Sequence, residues 1–543
     1  MERLPPEEEW RRLTTAERMD ACARDILLHG MGRPAVIYLW HAALLFLNYS
    51  AFALVAFGIG SSATGAHKAT HTLVKLLVWQ QLAESVGCRQ GPMYGHLGLP
   101  CNFRYRLSTG TVKLSKLPSA FGSTRHAADL LSHVLWYAAA LGFVLSREYR
   151  TAPLHLLAAC SAYHFLSDST QFYAAGGHIY FSALLSASAP PAGRLAGMQL
   201  ALLLQWFFSG FGKLGPWFSY VNGPFMLQSC LLTPLRPKLF AWLVHSPSRL
   251  TPTAFGVAVA HAAAAVEYLA PLALLLSSET AIACGMAGLL AMHAYILAMP
   301  APFDVYSWNL CYALCVPYLF YWCGTFGFDW DGLARMPSWL LAYFAVEAVV
   351  CLAGNLLPDR IGYYLSHRYW AGNWCFMFFL VRDTDAARQK LARVRAFSPN
   401  PLDKPKLSPH VLHVAMTKSL AYLWLGNLNM KPLVALIEEA CAAGGGTPAA
   451  YKFAPSLPLY YAGEFRDFIF GEELMPQMQA CTGFEEGECM AIKVNAFSLF
   501  GARVRMSIYD LSKGQVRSYA LSRSQLRSMA ALPSSAPACE KWH

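Results

Sequence analysis

The chain has 543 residues, of which 55% are hydrophobic and 14% are charged, and its formal net charge is +11. Its mean hydropathy of +0.32 is too high for an ordinary soluble protein, so the composition predicts a polytopic membrane protein. No run of lysine or arginine is long enough for a nucleic-acid-binding arm, so we assign the positive excess to membrane-flanking loops and exclude nucleic acid as a partner.

The N-terminal third predicts a surface segment followed by two membrane segments. Residues 1–33 mix acids with bases and lack a signal-peptide pattern, so they predict an amphipathic helix at the surface. Residues 35–58 predict the first span. Residues 71–86 contain Lys75 and Glu84, so this segment either spans inside the bundle or lies in the interface. The loop 87–125 is basic and has no acid, which places it on the cytoplasmic or matrix side.

The fold class that the sequence predicts is mainly α, a polytopic helical bundle of about 8–10 membrane segments with a small α+β C-terminal domain. The further apolar segments are 127–146, 152–167, 178–188, 195–214, 253–277, 280–300, 305–325 and 337–357. In the tail, 363–379 predicts an interfacial aromatic stretch, 410–443 two helices, and 488–518 two or three strands with a turn at Lys513 and Gly514. The predicted domains are an amphipathic segment 1–33, the bundle 34–358, an interfacial helix and linker 359–409, and an extramembrane domain 410–543.

The strongest candidate for chemistry is Lys213, which ends a long apolar run that starts at Gln199. A lysine near hydrocarbon is costly, so it is either a functional site or a helix-end residue that reaches the lipid headgroups. Burial can lower the pKa of a lysine enough to make it a base, and a histidine such as His178 can relay a proton or hold an oxyanion. Lys213 and His178 therefore form the predicted catalytic pair.

Other polar residues predict a ligand pocket. His261 and Glu267 lie on one apolar span and either line this pocket or join helices by hydrogen bonds. A proline-containing break at 299–302 is flanked by His293, Asp304, Trp308 and Asn309, and it forms either a pocket wall or an interfacial turn. We include Trp217 in the predicted ligand-binding set. His164 and Asp168, four residues apart, are interpreted as structural.

The remaining patterns exclude several classes of site. The 15 cysteines show no zinc spacing, so no metal site is predicted, although Cys88 with Cys101 and Cys481 with Cys489 could form loop disulfides in an oxidising compartment. The sequence has no phosphate-binding glycine motif and no Ser/His/Asp set. The basic loop is either a topology signal or a binding site for lipid headgroups, with the candidate residues Arg89, Arg104, Arg106 and Lys113.

The run 205–214, with Trp217 and Gly223 after it, resembles the signature helix of the HTTM domain, the membrane core of the vitamin K-dependent gamma-carboxylase family. Residues 178–181 resemble the carboxylase segment whose histidine supports catalysis, and 293–309 resemble a later HTTM helix. This resemblance covers about residues 30–380. It implies that Lys213 is a base and that His178 supports it.

Four other segments, 87–92, 106–114, 368–374 and 470–474, resemble the DUF3556 family of transmembrane proteins, and this resemblance covers nearly the whole chain. That family has no established activity, so the resemblance implies a fold rather than a reaction.

Two functions fit these observations. The first is a bundle that binds a lipid or quinone-like molecule as ligand or cofactor, with Lys213 and His178 as a proton-transfer pair. The second is a non-catalytic accessory subunit of a large organellar respiratory or photosynthetic complex, which would have other membrane subunits as partners. Both predict an integral membrane protein in contact with membrane lipids, in the mitochondrial inner membrane or another organelle membrane. The sequence leaves open whether the chain is an enzyme.

Overall fold

The computed structural model covers the whole chain, and only part of it is described here. The described residues are 4–30, 35–86, 107, 109–110, 113, 115–174, 176–227, 235–246, 249–298, 306–362, 364–369, 371–394, 409–454, 472 and 474–530.

The described chain is mainly helical, as the composition predicts. In chain order its α-helices are α1 Glu7–Arg12, α2 Thr15–His29, α3 Ala35–Ile59, α4 Gly65–Ser85, α5 Pro118–Phe121, α6 Ala127–Val144, α7 Thr151–Ser167, α8 Ser169–Ala174, α9 Gly177–Ala187, α10 Pro191–Phe211, α11 Phe218–Leu227, α12 Arg236–Leu243, α13 Ala254–Ala273, α14 Glu279–Ala298, α15 Tyr306–Pro317, α16 Trp330–Ala334, α17 Ser338–Leu356, α18 Asp385–Val394, α19 Pro409–Gly426, α20 Leu433–Ala443, α21 Leu474–Thr482 and α22 Arg523–Ser528.

The strands form a short hairpin and a five-stranded antiparallel sheet. The hairpin joins β1 Val244–Ser246 to β2 Arg249–Pro252. The sheet has the order β4-β3-β5-β6-β7 and is built from β3 Phe376–Arg382, β4 Tyr451–Ala454, β5 Cys489–Val494, β6 Arg503–Asp510 and β7 Gly514–Ser522. Gly514 has a φ of 91°, a value that glycine adopts without strain, and it closes the predicted turn between β6 and β7. The C-terminal sheet is therefore confirmed.

The chain divides into two compact units, each of which is described by itself. The first unit comprises Met1–Arg33, Gly212–Ala262 and Ala353–His543, and it contains the sheet. The second unit comprises Pro34–Phe211 and Ala263–Leu352 and is a helical bundle. The N-terminal segment and residues 212–262 thus belong with the tail, whereas the predicted boundaries assign 34–358 to a single bundle.

Four of the described helices are long and apolar enough to cross a membrane, namely α6, α13, α14 and α17. They carry exposed apolar side chains such as Leu131, Leu269 and Val349, as expected for contact with lipid. Helix α4 is different because it is polar and almost entirely buried beyond His71. Glu84 on this helix accepts a hydrogen bond at 2.8 Å from the hydroxyl of Tyr180. Of the two predicted alternatives for this segment, the burial favours the interior of the bundle.

The aromatic stretch predicted to be interfacial contains β3, an inner strand of the sheet. Phe376, Phe378 and Phe379 are buried, and β3 pairs with β4 on one side and β5 on the other. Continuous apolar character here reflects burial of both faces of the strand rather than contact with a membrane surface.

The N-terminal helices are packed rather than free at a surface. Trp10 is buried and its ring contacts the rings of His410 and His413, while Asp25 forms an ion pair with Lys418 on α19. Helix α2 begins with a capping box formed by Thr14 and Glu17, which satisfies backbone donors at its N-terminus.

Candidate functional site

The first unit contains a cavity of about 620 Å³, which is within the size range of small-molecule sites. Four elements contribute to its wall: α11, the β1–β2 hairpin, the N-terminal part of α13, and the end of α22. Apolar side chains such as Pro216, Pro252 and Val257 line part of it. Its polar lining consists of Ser219, Tyr220, His245, Thr251, His261, Arg527 and Ser528.

Backbone hydrogen bonds hold these elements together. The amide of Leu250 donates to the carbonyl of Ala530, which joins β2 to the end of α22. The amide of Thr253 donates to the carbonyl of Leu243 at 3.0 Å. Position 256 must be glycine, because a Cβ there would lie 2.6 Å from the oxygen of Leu243. The end of α12 and the start of α13 therefore meet in close contact.

The cavity is rich in hydrogen-bond donors and poor in acids. Among the described residues that line it, none is aspartate or glutamate. The hydroxyl of Thr251 is buried and has no hydrogen-bond partner within the described part of the chain. An unsatisfied buried hydroxyl costs free energy, so this hydroxyl is suited to contact a bound molecule.

An exposed aromatic pair lies on elements that adjoin the cavity. Trp242 at the end of α12 and Phe255 at the start of α13 are 56% and 54% exposed, and their ring centroids are 6.2 Å apart. Tryptophan is enriched where a membrane meets water, and α13 is one of the candidate spans. The cavity is thus lined in part by the first turns of a candidate membrane helix, which also carries the exposed Phe255.

Two predicted site residues lie in the first unit beside this region. Lys213 is 5% exposed, and its Nζ lies 5.4 Å from the ring centroid of Phe218. Trp217 is buried, donates from Nε1 to the carbonyl of Gly212 at 3.0 Å, and stacks on Phe497 with a centroid separation of 6.1 Å. Trp217 follows Pro216, which lines the cavity, so its packing helps to shape the wall.

In the second unit the structure brings together several predicted site residues. Trp206 Nε1 can only donate, so Nε2 of His293 accepts its hydrogen bond at 3.2 Å. The ring proton of His293 therefore lies on Nδ1, which donates to Oδ1 of Asn309 at 2.9 Å. His293 is a neutral link between α10, α14 and α15 in this arrangement.

The remaining predicted residues of the second unit are also buried. His178 is 7% exposed, and its ring lies 6.4 Å from that of Trp308. Glu267 accepts a hydrogen bond at 2.7 Å from the hydroxyl of Ser209, which joins α13 to α10. His261 lines the cavity of the first unit, whereas Glu267 belongs to the second unit.

The basic loop falls mostly outside the described residues, as do Arg89, Arg104, Arg106 and Asp304. Lys113 is described and is fully buried, with its Nζ 2.7 Å from the carboxylate of Asp129. This ion pair accounts for the charge of Lys113 inside the second unit. Cys481 and Cys489 are free thiols, and no group of three metal-ligating side chains occurs within the part of the chain that was searched.

Sequence reasoning did not identify Tyr220, His245, Thr251 or Arg527 as members of one site. These residues have ordinary sequence contexts, and about 300 residues separate the first from the last. The available signal for this site was the spacing of Arg523 and Arg527, which are four residues apart on a helix and therefore share a face.

Comparison with known proteins gives one match. The model of a family described as "Transmembrane protein of unknown function (DUF3556)" matches residues 3–526. No curated protein and no solved structure matches the chain.

Proposed function

Because the chain belongs to the DUF3556 family of transmembrane proteins, we propose that it is a membrane protein that binds a lipid-like or quinone-like amphiphile in the cavity of the first unit. The observation that carries this proposal is the cavity itself. It combines apolar and polar lining at the end of the candidate span α13, so one ligand could place a polar group on the donors and an apolar part against Val257.

The location supports an amphiphile rather than a fully water-soluble ligand. Trp242 and Phe255 are large, apolar and exposed, and such residues are costly in water but favourable at a bilayer interface. A molecule that partitions into the membrane would reach a cavity at the bilayer interface by lateral diffusion.

Filling the cavity is expected to remove the ligand. Val257 lines the cavity and is partly exposed, so a Val257→Trp variant places an indole in the ligand volume without overpacking the core. We expect the purified full-length variant to contain about tenfold less bound small molecule per protein than the wild type, measured by mass spectrometry of solvent extracts. Val266→Trp is the matched control, because Val266 is exposed on the same helix and does not line the cavity. Equal ligand content in both variants would contradict the proposal.

A second proposal concerns proton chemistry by Lys213, with the supporting role for His178 that the resemblance to the HTTM domain implies. Both side chains are nearly fully buried, so each is largely shielded from bulk water. The resemblance of the Lys213 helix to the carboxylase family supports the same roles. Localisation in an organelle membrane stays a prediction.

Replacing Lys213 by methionine separates catalysis from a structural role. If Lys213 abstracts a carbon-bound proton, the wild-type chain incubated in D₂O will exchange deuterium into its bound molecule, and Lys213→Met will abolish the exchange while the chain still folds. The measurement is the isotopic mass of the extracted molecule together with protein yield. Lys513→Met is a suitable comparison, because it makes the same substitution at an exposed lysine of the same unit.

A lower yield of Lys213→Met in its native assembly, with no isotope exchange in the wild type, would favour the accessory-subunit hypothesis instead. Unchanged assembly together with unchanged exchange would contradict both roles for Lys213.

A further inference from the structure

We propose that the polar end of the cavity recognises an oxyanion, a phosphate or carboxylate group, with Arg527 as its principal partner. This inference rests on the proposed ligand-binding function of the same cavity and specifies the chemical class of the ligand. Two independent observations carry it: a lining whose described residues include an arginine and several hydrogen-bond donors but no carboxylate, and a pair of like charges that no acid in the described part of the chain neutralises.

The lining offers hydrogen-bond donors and positive charge. Arg527 supplies a planar guanidinium that suits two oxygens of a phosphate or carboxylate. His245 and His261 are further potential donors, and the buried hydroxyl of Thr251 has no partner among the described residues. Since none of the described lining residues carries a carboxylate, a cationic ligand would find no counter-charge here, whereas an anionic one would.

The second observation is the proximity of Arg523 to Arg527 on α22. Burial, and next the like charge of Arg527, lower the pKa of the Arg523 guanidinium. The Cζ of Arg523 lies 5.4 Å from the ring centroid of Trp217, and one of its nitrogens donates to the carbonyl of Leu499. Neither arginine has an ion-pair partner in the described part of the chain. An oxyanion beside Arg527 would relieve the repulsion between the two guanidinium groups.

A neutral quinone would use this lining less well. Its carbonyl oxygens accept hydrogen bonds, but they leave the charge of Arg527 without compensation. Arg527 is exposed, so water solvates its guanidinium group when no ligand is bound. A ligand that displaces this water must replace the lost hydration with an interaction of similar strength. An oxyanion does so, and it is the commoner partner of arginine.

The test uses the full chain reconstituted into phosphatidylcholine vesicles that contain a minor fraction of phosphatidic acid. After detergent extraction we expect the wild type to retain phosphatidic acid in preference to phosphatidylcholine, and Arg527→Gln to reduce that preference by about tenfold or more. Arg503→Gln is the control, because Arg503 is an exposed arginine of the same unit that does not line the cavity. A second arm measures stabilisation of the detergent-solubilised chain by inorganic phosphate.

The outcomes are distinguishable. Loss of phosphatidic acid in Arg527→Gln but not in Arg503→Gln supports a lipid headgroup as the oxyanion. Stabilisation by inorganic phosphate that depends on Arg527, without lipid preference, supports a soluble oxyanion. If Val257→Trp removes the bound molecule and Arg527→Gln does not, the oxyanion inference is wrong and the proposed function stands. Insensitivity to both changes overturns both.

Discussion

Replacing Asp129 by alanine is expected to lower the free energy of unfolding of the second unit by about 3–5 kcal/mol. Asp129 accepts from Nζ of Lys113 at 2.7 Å, from the amide of His126 at 3.0 Å and from the hydroxyl of Tyr163 at 3.1 Å. Lys113 and Asp129 are both almost fully buried, so removing the carboxylate leaves an ammonium group without its counter-charge. The measurement is denaturant unfolding of the detergent-solubilised chain.

The loss of stability in Asp129→Ala is expected to be large because the ion pair is buried. Two further variants test this explanation. The double variant Lys113→Met with Asp129→Leu removes both charges and should recover most of the lost stability. Glu148→Ala breaks the exposed pair with Arg150, and we expect a change of less than about 1 kcal/mol. If Asp129→Ala and Glu148→Ala had similar effects, the Lys113–Asp129 pair would contribute no more than a surface ion pair.

The second large effect is a pH dependence that Lys431 gives to the first unit. Lys431 is buried, its Nζ lies 4.2 Å from the ring centroid of Trp424, and it donates to the carbonyls of Trp424 and Leu425. Burial without an opposite charge lowers its pKa from 10.5 to about 7. Between these values the unfolded chain binds the proton and the folded chain does not, so stability rises with pH over this window and is constant outside it.

Integrated over the whole window, the rise is roughly 5 kcal/mol, because one unit of pKa corresponds to about 1.4 kcal/mol. The test compares unfolding midpoints of the wild type and Lys431→Met from about pH 6 to about pH 10. Other groups also titrate in this range, so the quantity to compare is the slope of the unfolding midpoint against pH in the two proteins. We expect this slope to be smaller for Lys431→Met than for the wild type. Lys513→Met, which changes an exposed lysine of the same unit, should retain the wild-type slope. Parallel curves for the wild type and Lys431→Met would show that Lys431 keeps its ordinary pKa.

Local patterns in the sequence predicted local features of the fold well. The turn at Lys513 and Gly514 was recognisable because the residues that define it are adjacent, and glycine is favoured where φ is positive. The four apolar candidate spans were recognisable for the same reason, since length and composition alone identify them. Strand β3 was not, because its pairing partner β5 begins more than 100 residues later at Cys489, and an apolar run alone does not distinguish a buried strand from an interfacial segment.

The candidate site was less predictable than the fold. Of the predicted ligand-binding residues, His261 lines the cavity, and Trp217 packs next to its wall. Arg527 was not predicted, because two arginines four residues apart in a short helix are a common local pattern that does not by itself mark a site. Its significance arises from the absence of acids among the described residues that line the cavity, and this depends on the packing of distant segments.

The polarity of α4 has a consequence for how the protein enters the bilayer during synthesis. A helix that carries His71, Lys75 and Glu84 has a poor intrinsic preference for lipid, and its stability in the membrane depends on neighbours that cover these groups. Helix α3 precedes it directly and exposes Phe46, Leu54 and Phe57. We therefore expect α3 and α4 to stay together as a hairpin at the protein-conducting channel. They would move into the bilayer once the later helices that shield α4 have been synthesised.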